Sequence, residues 1–366
     1  MPRIVPNPMD ASRYFDHAAT TPLDPRVLEA MLPSLREGFG NAHSIHSSGV
    51  AAHAAVEKAR EQVALAVGAE DPSLVVFTSG ATEAVNTVIR SWEGGIVSPF
   101  EHSAVRETAA LFDAKTMDWD GERFSRSAQT YQLACLMRVS NETGRSFEPE
   151  TAREFAPLVL SDMTQALGKI PVDVSEIDFA AFSAHKIFGP KGVGALVRNA
   201  YENYKPLLAG GGQENGFRSG TLNVPGIVGF GAAAELAVEE MAPRAAHAAQ
   251  LRAIVLDGLE GVSDLRVNGG KDAVPHILSL SFLGLEGETL VLEADAGGFA
   301  VSAGAACSAG STDPSPAILA EGLTAEWARG TVRLAFGPSN TAQSAHDLAK
   351  ILRRSAQTLR TMRKVA

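Results

Sequence analysis

The chain has 366 residues, of which 45% are hydrophobic and 20% are charged, and its formal net charge is −10. This length is typical of one large domain with a smaller one, and the lack of a long apolar run or a secretory leader predicts a cytoplasmic protein. The acidic balance argues against nucleic acid or an anionic membrane as the main partner. The two cysteines, Cys135 and Cys307, lack metal-ligand spacing, so no metal is expected.

In chain order, the first two thirds predict an α/β domain. Helical spacing covers 24–39 and 49–67, and short apolar runs typical of buried strands follow. These runs lie at 74–77, 95–97, 132–139, 158–160, 179–182 and 194–197. Helical or polar stretches separate several of them, which predicts a mainly parallel sheet with helices on both faces.

The last third predicts a smaller α+β domain. An Ala-rich helical pattern runs from Pro225 to about Leu259. Strand-like runs follow at 277–282, 298–302 and 331–336, and a terminal helix is expected over 341–363. We therefore expect a large domain over 13–245 and a small domain over 246–366, with the N-terminal arm 1–12 packed on the small domain.

Two predicted strands end in residues that carry chemistry. The run 158–160 leads into Ser161 and Asp162, and the run 179–182 leads into Ser183, His185 and Lys186. Open α/β sheets bind ligands at the carboxyl ends of their strands, so an acid and an amine should reach the same edge. Pyridoxal phosphate (PLP) needs this pair, because an amine binds its aldehyde and a carboxylate keeps its pyridine nitrogen protonated.

A third segment, 77–83, predicts a strand, a glycine turn and the start of a helix, which together favour a bound phosphate. Taken singly, Asp162 and Thr82 are explained as helix caps, and Lys186 as a solvated charge. The combination favours a PLP site in which Lys186 holds the cofactor as a Schiff base.

Motifs along nearly the whole chain support this interpretation. They are Tyr14–Pro22, Gly40–His46, Phe77–Glu83, Glu101–His102, Asn141–Gly144, Asp162–Lys169, Ser183–Lys186, Gly210–Glu214, Arg218–Thr221 and Ala306–Ser308. With them the chain resembles the cysteine desulfurases of the NifS/IscS type, a branch of the class V aminotransferase-like PLP enzymes. The resemblance implies the fold-type I architecture of PLP-dependent transferases.

The resemblance also implies roles for individual residues. Lys186 would be the Schiff-base lysine and Asp162 the partner of the pyridine nitrogen. Gln165 would donate a hydrogen bond to the phenolic oxygen, and His102 would stack on the ring and assist proton transfer. The residues expected to bind the phosphate are Thr82, Ser183, His185 and, from the other subunit of a homodimer, Thr221.

The resemblance assigns substrate binding to Asn141 and Arg333. A guanidinium can grip the α-carboxylate of L-cysteine with two parallel hydrogen bonds. A solvated Arg333 is disfavoured by its position in an apolar run, 332–336.

The choice of sulfur chemistry depends on Cys307. It lies in a segment of small residues, 301–314, that predicts a mobile loop able to collect sulfur in a pocket and deliver it outside. The resemblance implies that Cys307 takes sulfur from L-cysteine as a persulfide and leaves L-alanine. The alternative is a buried structural cysteine, which is what the apolar strand pattern predicts for Cys135.

Other functions remain open at this point. The alternatives are a selenocysteine lyase, another class V aminotransferase-like enzyme and a non-catalytic sulfur-transfer scaffold. An iron–sulfur scaffold protein is the default sulfur acceptor for the family, although tRNA thiolation and molybdenum cofactor synthesis use similar enzymes. Departures from the usual family pattern at Ala303, Ala305 and Pro338 bear on the partner surface rather than on catalysis.

Overall fold

The computed structural model describes residues 10–92, 94–199, 204–304 and 314–365. The chain divides into two compact units. The large unit holds residues 20–140 and 147–241, and the small unit holds residues 10–19, 141–146 and those from 242 onward. Within the described ranges, no helix combines the length and the apolar character needed to cross a membrane.

A seven-stranded sheet forms the centre of the large unit. Its strands are β1 Val75–Thr78, β2 Ile96–Val97, β3 Lys115–Thr116, β4 Leu133–Cys135, β5 Leu158–Asp162, β6 Phe179–Ser183 and β7 Gly194–Arg198. The spatial order is β1-β7-β6-β5-β4-β2-β3. Strands β6, β5, β4, β2 and β3 run parallel, whereas β7 is antiparallel to both β6 and β1. The predicted mainly parallel α/β fold is confirmed.

Helices cover both faces of this sheet. They are α1 Pro25–Arg36, α2 Ser47–Val67, α3 Ala81–Ile89, α4 Ser103–Ala110 and α5 Val224–Glu239. Helices α3 and α4 pack on the face that carries Leu160 and Phe179. On the opposite face, Phe77 contacts Phe230 of α5 and Arg60 of α2. Apolar residues therefore occur on both faces of each central strand, and the strands read as continuous apolar runs.

The small unit is built on a four-stranded antiparallel sheet. Its strands are β8 Leu265–Val267, β9 Ile277–Phe282, β10 Ser302–Ala303 and β11 Thr331–Ala335, in the order β10-β11-β9-β8. Its helices are α6 Met241–Gly258, α7 Gly287–Ala296, α8 Pro316–Ala320, α9 Ala325–Arg329 and α10 Ala342–Val365. Phe15 packs in the same core as Leu280 and Leu334, and Asp16 bridges to Ala335, so residues 10–19 belong to this unit.

Two predicted elements differ from the structure. The helical pattern over 225–259 forms two helices, because Glu240 leaves the helical conformation at φ −98° and ψ 6°. Pro243 gives the reason, since its ring would clash with the carbonyl of Glu239 and it has no N–H to donate. The strand predicted over 298–302 is limited to Ser302–Ala303, and residue 300 makes a single bridge to Tyr14.

Candidate active site

The acid and the lysine predicted from the sequence emerge at one edge of the large sheet. Asp162 is the last residue of β5, and Ser183 is the last residue of its parallel neighbour β6. A single helical turn, Ala184–Lys186, follows Ser183 directly. Asp162 is buried, and its Oδ1 accepts the N–H of Thr164 at 2.9 Å. The fold therefore presents a buried carboxylate and a lysine at the carboxyl ends of adjacent strands.

The start of α3 lies at the same edge. Gly80 forms the N-cap without any side-chain cap hydrogen bond, and Thr82 is exposed in the first turn. A Cβ on Gly194 would come within 2.7 Å of the Gly80 Cα, and a Cβ on Gly80 would lie 3.6 Å from the Ser183 Oγ. The two glycines thus let the turn approach the ends of β6 and β7. The first-turn N–H groups of a helix have no carbonyl within it to bond, which suits an anion.

His185 is fixed from the N-terminal motif. Its Nδ1 lies 3.0 Å from the Thr20 Oγ1, and the Thr21 hydroxyl and N–H donate to its carbonyl at 2.9 and 3.0 Å. Burial, then the positive charges nearby, lower the pKa of His185 to about 4. Those charges belong to Lys186, Lys191 and Lys169. A neutral imidazole among three cationic side chains is a favourable environment for phosphate.

Gln165 is oriented by a residue to which the sequence assigned no role. The Lys169 Nζ donates to the Gln165 Oε1 at 2.8 Å. This bond fixes the orientation of the amide, with the oxygen toward Lys169 and the nitrogen as its donor atom. This orientation agrees with the predicted donation by Gln165 to a phenolic oxygen.

His102 is the N-cap of α4. Its Nδ1 accepts the N–H of Ala104 at 3.1 Å. A neutral imidazole that accepts at Nδ1 carries its proton on Nε2. His102 in this conformation can therefore donate a hydrogen bond from Nε2.

Asn141 and Arg333 lie together in the small unit. The Arg333 Nη1 donates to the Asn141 carbonyl at 2.9 Å, and its Nη2 pairs with the Asp16 Oδ1 at 2.9 Å. Asp16 is a second residue to which the sequence assigned no role. Within the described chain, the Arg333 Nε and the Asn141 Oδ1 are buried without a hydrogen-bond partner. Such unpaired buried groups are costly and point to a polar ligand.

Thr221 and the two cysteines complete the residues named from the sequence. Thr221 is exposed and follows Arg218, which pairs with Glu83 of α3 at 2.9 Å. Cys307 lies outside the described residues. Cys135 is 2% exposed, which confirms its assignment to the core, and burial raises the pKa of its thiol. Among the described side chains there is no cluster of three or more His, Cys, Asp or Glu residues suited to a metal ion.

The sequence and the fold of this chain are similar to those of known proteins. The profile of the family described as "Aminotransferase class-V" matches residues 13–348. A protein named cysteine desulfurase IscS, from Dictyoglomus turgidum, is 37% identical, and the alignment covers 95% of each chain. A solved "NIFS-like protein" has a TM-score of 0.85 at 33% identity and covers 95% of this chain and 99% of its own. A structure titled "SspA in complex with cysteine" has a TM-score of 0.76 at 28% identity, covering 90% of this chain and 100% of its own.

The chain therefore belongs to the class V aminotransferase family, and within that family to the cysteine desulfurases. The family consists of PLP enzymes. The residues gathered at the sheet edge fit this cofactor by their chemistry. They include a lysine, a buried carboxylate, an oriented amide donor and positively charged groups that can bind a phosphate.

Proposed function

We propose that this chain is a PLP-dependent cysteine desulfurase that converts L-cysteine to L-alanine and carries the sulfur as a persulfide on Cys307. The observation that supports the proposal most is the arrangement of Asp162, Lys186 and the α3 N-terminus at one sheet edge. These features match the pyridine nitrogen, the aldehyde and the phosphate of a single cofactor.

When bound, PLP supplies an electron sink that makes the α-carbon proton of the substrate acidic. In the proposed reaction, Lys186 holds the cofactor and afterwards takes the α-proton at its Nζ. Asp162 keeps the pyridine nitrogen protonated, and Gln165 donates to the phenolic oxygen. His102 donates a hydrogen bond from Nε2 as negative charge develops.

The sulfur transfer requires a thiolate at Cys307. Its sulfur attacks the sulfur of L-cysteine, so that an S–S bond forms as the substrate C–S bond breaks. The electron pair of that bond goes to the β-carbon, which takes up a proton and becomes the methyl group of L-alanine. The persulfide left on Cys307 is then available to an acceptor.

The α-carboxylate of the substrate would bind at Arg333. The fork already gives one hydrogen bond to Asn141 and one to Asp16, and each of its Nη atoms has a second N–H. A carboxylate that approaches the Nη1 and Nη2 end can use both remaining N–H groups. This geometry favours an amino acid with a free carboxylate.

We also propose that the enzyme is a cytoplasmic homodimer in which Thr221 reaches the phosphate site of the second subunit. Phe39, just before the motif Gly40–His46, and Ile45, within it, are 85% and 98% exposed, and a second copy would remove such apolar surface from water. The proposed acceptor is an iron–sulfur scaffold protein. Trapping the persulfidated enzyme with labelled sulfur, and identifying the protein that takes the label, tests this choice.

The central experiment is incubation of the purified enzyme with L-cysteine. Cys307→Ala should abolish persulfide and L-alanine formation while the visible absorbance of bound cofactor stays. Cys135→Ala is the matched control and should keep the activity, because Cys135 is a buried core thiol. Lys186→Ala should lose the imine absorbance. Alanine formation at the wild-type rate in Cys307→Ala would refute the assignment of the nucleophile.

A further inference from the structure

Glu101 occupies an unusual place for a carboxylate. It follows β2 after a turn and directly precedes His102, and it is 2% exposed. Beyond Cys135, the last residue of β4, the chain still bonds to β5, because the main-chain N–H of Arg138 donates to the carbonyl of Asp162 at 3.1 Å. On the other side of that continuation, the N–H of Met137 donates to the Glu101 Oε1 at 2.6 Å. The Glu101 side chain therefore takes the place that β2 would fill if it were longer.

The second carboxyl oxygen has no comparable partner. Within the described chain, the Glu101 Oε2 is buried without a hydrogen-bond partner. The cation nearest in sequence, Arg106, donates its Nε to the Glu101 main-chain carbonyl at 3.0 Å instead. A buried, unpaired carboxylate is costly to desolvate, so the protonated form is favoured.

The surroundings of Glu101 also favour the protonated form on balance. Burial and then the Asp162 carboxylate on β5 raise the pKa of Glu101 to about 8, while the Met137 N–H and Arg106 on α4 oppose this. A further titratable neighbour is the Cys135 thiol on β4, whose pKa is also raised by burial and by Glu101. The Asp162 carboxylate thus disfavours a second negative charge on Glu101.

We propose that Glu101 is a positioning residue that works as a neutral carboxylic acid, joining the end of β4 to the helix that carries His102 without adding charge beside Asp162. The inference rests on the PLP role proposed for Asp162. A pyridine nitrogen brings one positive charge, which one carboxylate balances. A second ionised carboxyl would leave the buried site with an excess negative charge and an unsolvated oxygen.

The proposal has a defined pH dependence. The ordinary pKa of a glutamate is 4.5, so between about pH 4.5 and pH 8 the unfolded chain ionises Glu101 while the folded chain keeps it protonated. Stability should therefore fall as the pH rises through this window and level off above it. Glu101→Gln keeps an oxygen for the Met137 N–H but cannot ionise, so this contribution to the slope should vanish.

Infrared difference spectroscopy on the holoenzyme tests the protonation state directly. Subtracting Glu101→Gln from wild type near neutral pH should reveal the carbonyl stretch of a protonated carboxyl. Glu154→Gln is the matched control, because Glu154 is exposed and paired with Arg126, and it should remove only carboxylate bands. A denaturant midpoint measured across the pH window should fall more steeply in wild type than in Glu101→Gln.

Two results would overturn the proposal: no protonated carboxyl signal lost in Glu101→Gln, or identical pH profiles of the two proteins. If Glu101→Gln does not fold, wild type labelled with [13C]glutamate at the carboxyl carbon replaces it. One carboxyl resonance should then titrate near pH 8, and titration of all of them in the ordinary range would refute the inference. A protein that binds no PLP would refute the proposed function instead, and the infrared comparison would still decide the state of Glu101.

Discussion

Replacing Glu214 with alanine should destabilise the large unit and loosen the edge of its sheet. The Glu214 Oε2 accepts the N–H of Phe77 at 2.7 Å and the Arg60 Nη1 at 2.8 Å, and its Oε1 accepts the Arg60 Nη2 at 2.8 Å. Its side chain is only 1% exposed. Glu214 therefore satisfies both a buried guanidinium and an N–H of the edge strand β1.

The size of the loss of stability depends on the partners that Arg60 keeps once the Glu214 carboxylate is removed. Removing one partner of a buried ion pair costs about 3–5 kcal/mol, because the other charge stays buried. Arg60 would keep the Val75 carbonyl at 2.7 Å and the half-exposed Glu57. We therefore expect the lower end, about 3 kcal/mol, which is a large share of the stability of about 5–15 kcal/mol that proteins have. Because Phe77 leads into the Gly80 turn, cofactor retention should also weaken.

Urea unfolding followed by tryptophan fluorescence measures this loss. Combining Glu214→Leu with Arg60→Met removes both charges and should recover most of the stability lost by the single variant. Glu154→Ala, which breaks the exposed pair with Arg126, is the control and should change nothing measurable. A loss below about 1 kcal/mol in Glu214→Ala, the range of exposed pairs, would refute the reasoning.

Three further predictions concern the site itself. Gly194→Ala should cost about 1–3 kcal/mol by overpacking against Gly80 and should weaken cofactor binding in an absorbance titration; unchanged affinity would contradict this. Between pH 6.5 and about 4, the unfolded chain protonates His185 while the folded cofactor-free chain does not. The free energy of unfolding should therefore decrease as the pH is lowered through this window, and this decrease should be smaller in His185→Gln. Arg333→Lys should lower kcat/KM for L-cysteine roughly 30-fold or more with the cofactor still bound, whereas an unchanged value would exclude Arg333 as the carboxylate site.

The positions of the main site residues could be predicted because a buried strand is visible as an apolar run. A polar residue directly after such a run must lie at the strand end, as Asp162 and Ser183 do on β5 and β6. Parallel pairing then brings successive strand ends to one edge. The glycine turn before α3 could be predicted in the same way, since Gly80 follows an apolar strand and a helical pattern begins after it.

The supporting contacts could not be predicted, because they join residues far apart in the chain. Thr20 meets His185, and Asp16 meets Arg333, through contacts that no local spacing encodes. In the sequence, Glu101 is distinguished only as part of a motif, and its context looks like that of any helix start. Its burial depends on where β2 ends relative to β4, which is a property of the sheet register rather than of the sequence pattern.

The motif Tyr14–Pro22 shows how one short segment can serve both units without containing a residue predicted to act. Asp16 pairs with Arg333, the proposed carboxylate site in the small unit. Thr20 and Thr21, a few residues later, hold the side chain and carbonyl of His185 in the large unit. Each contact fixes a group that is itself proposed to bind either the substrate or the cofactor phosphate. The motif therefore acts through positioning, which explains why it carries the family resemblance although its residues were assigned no role.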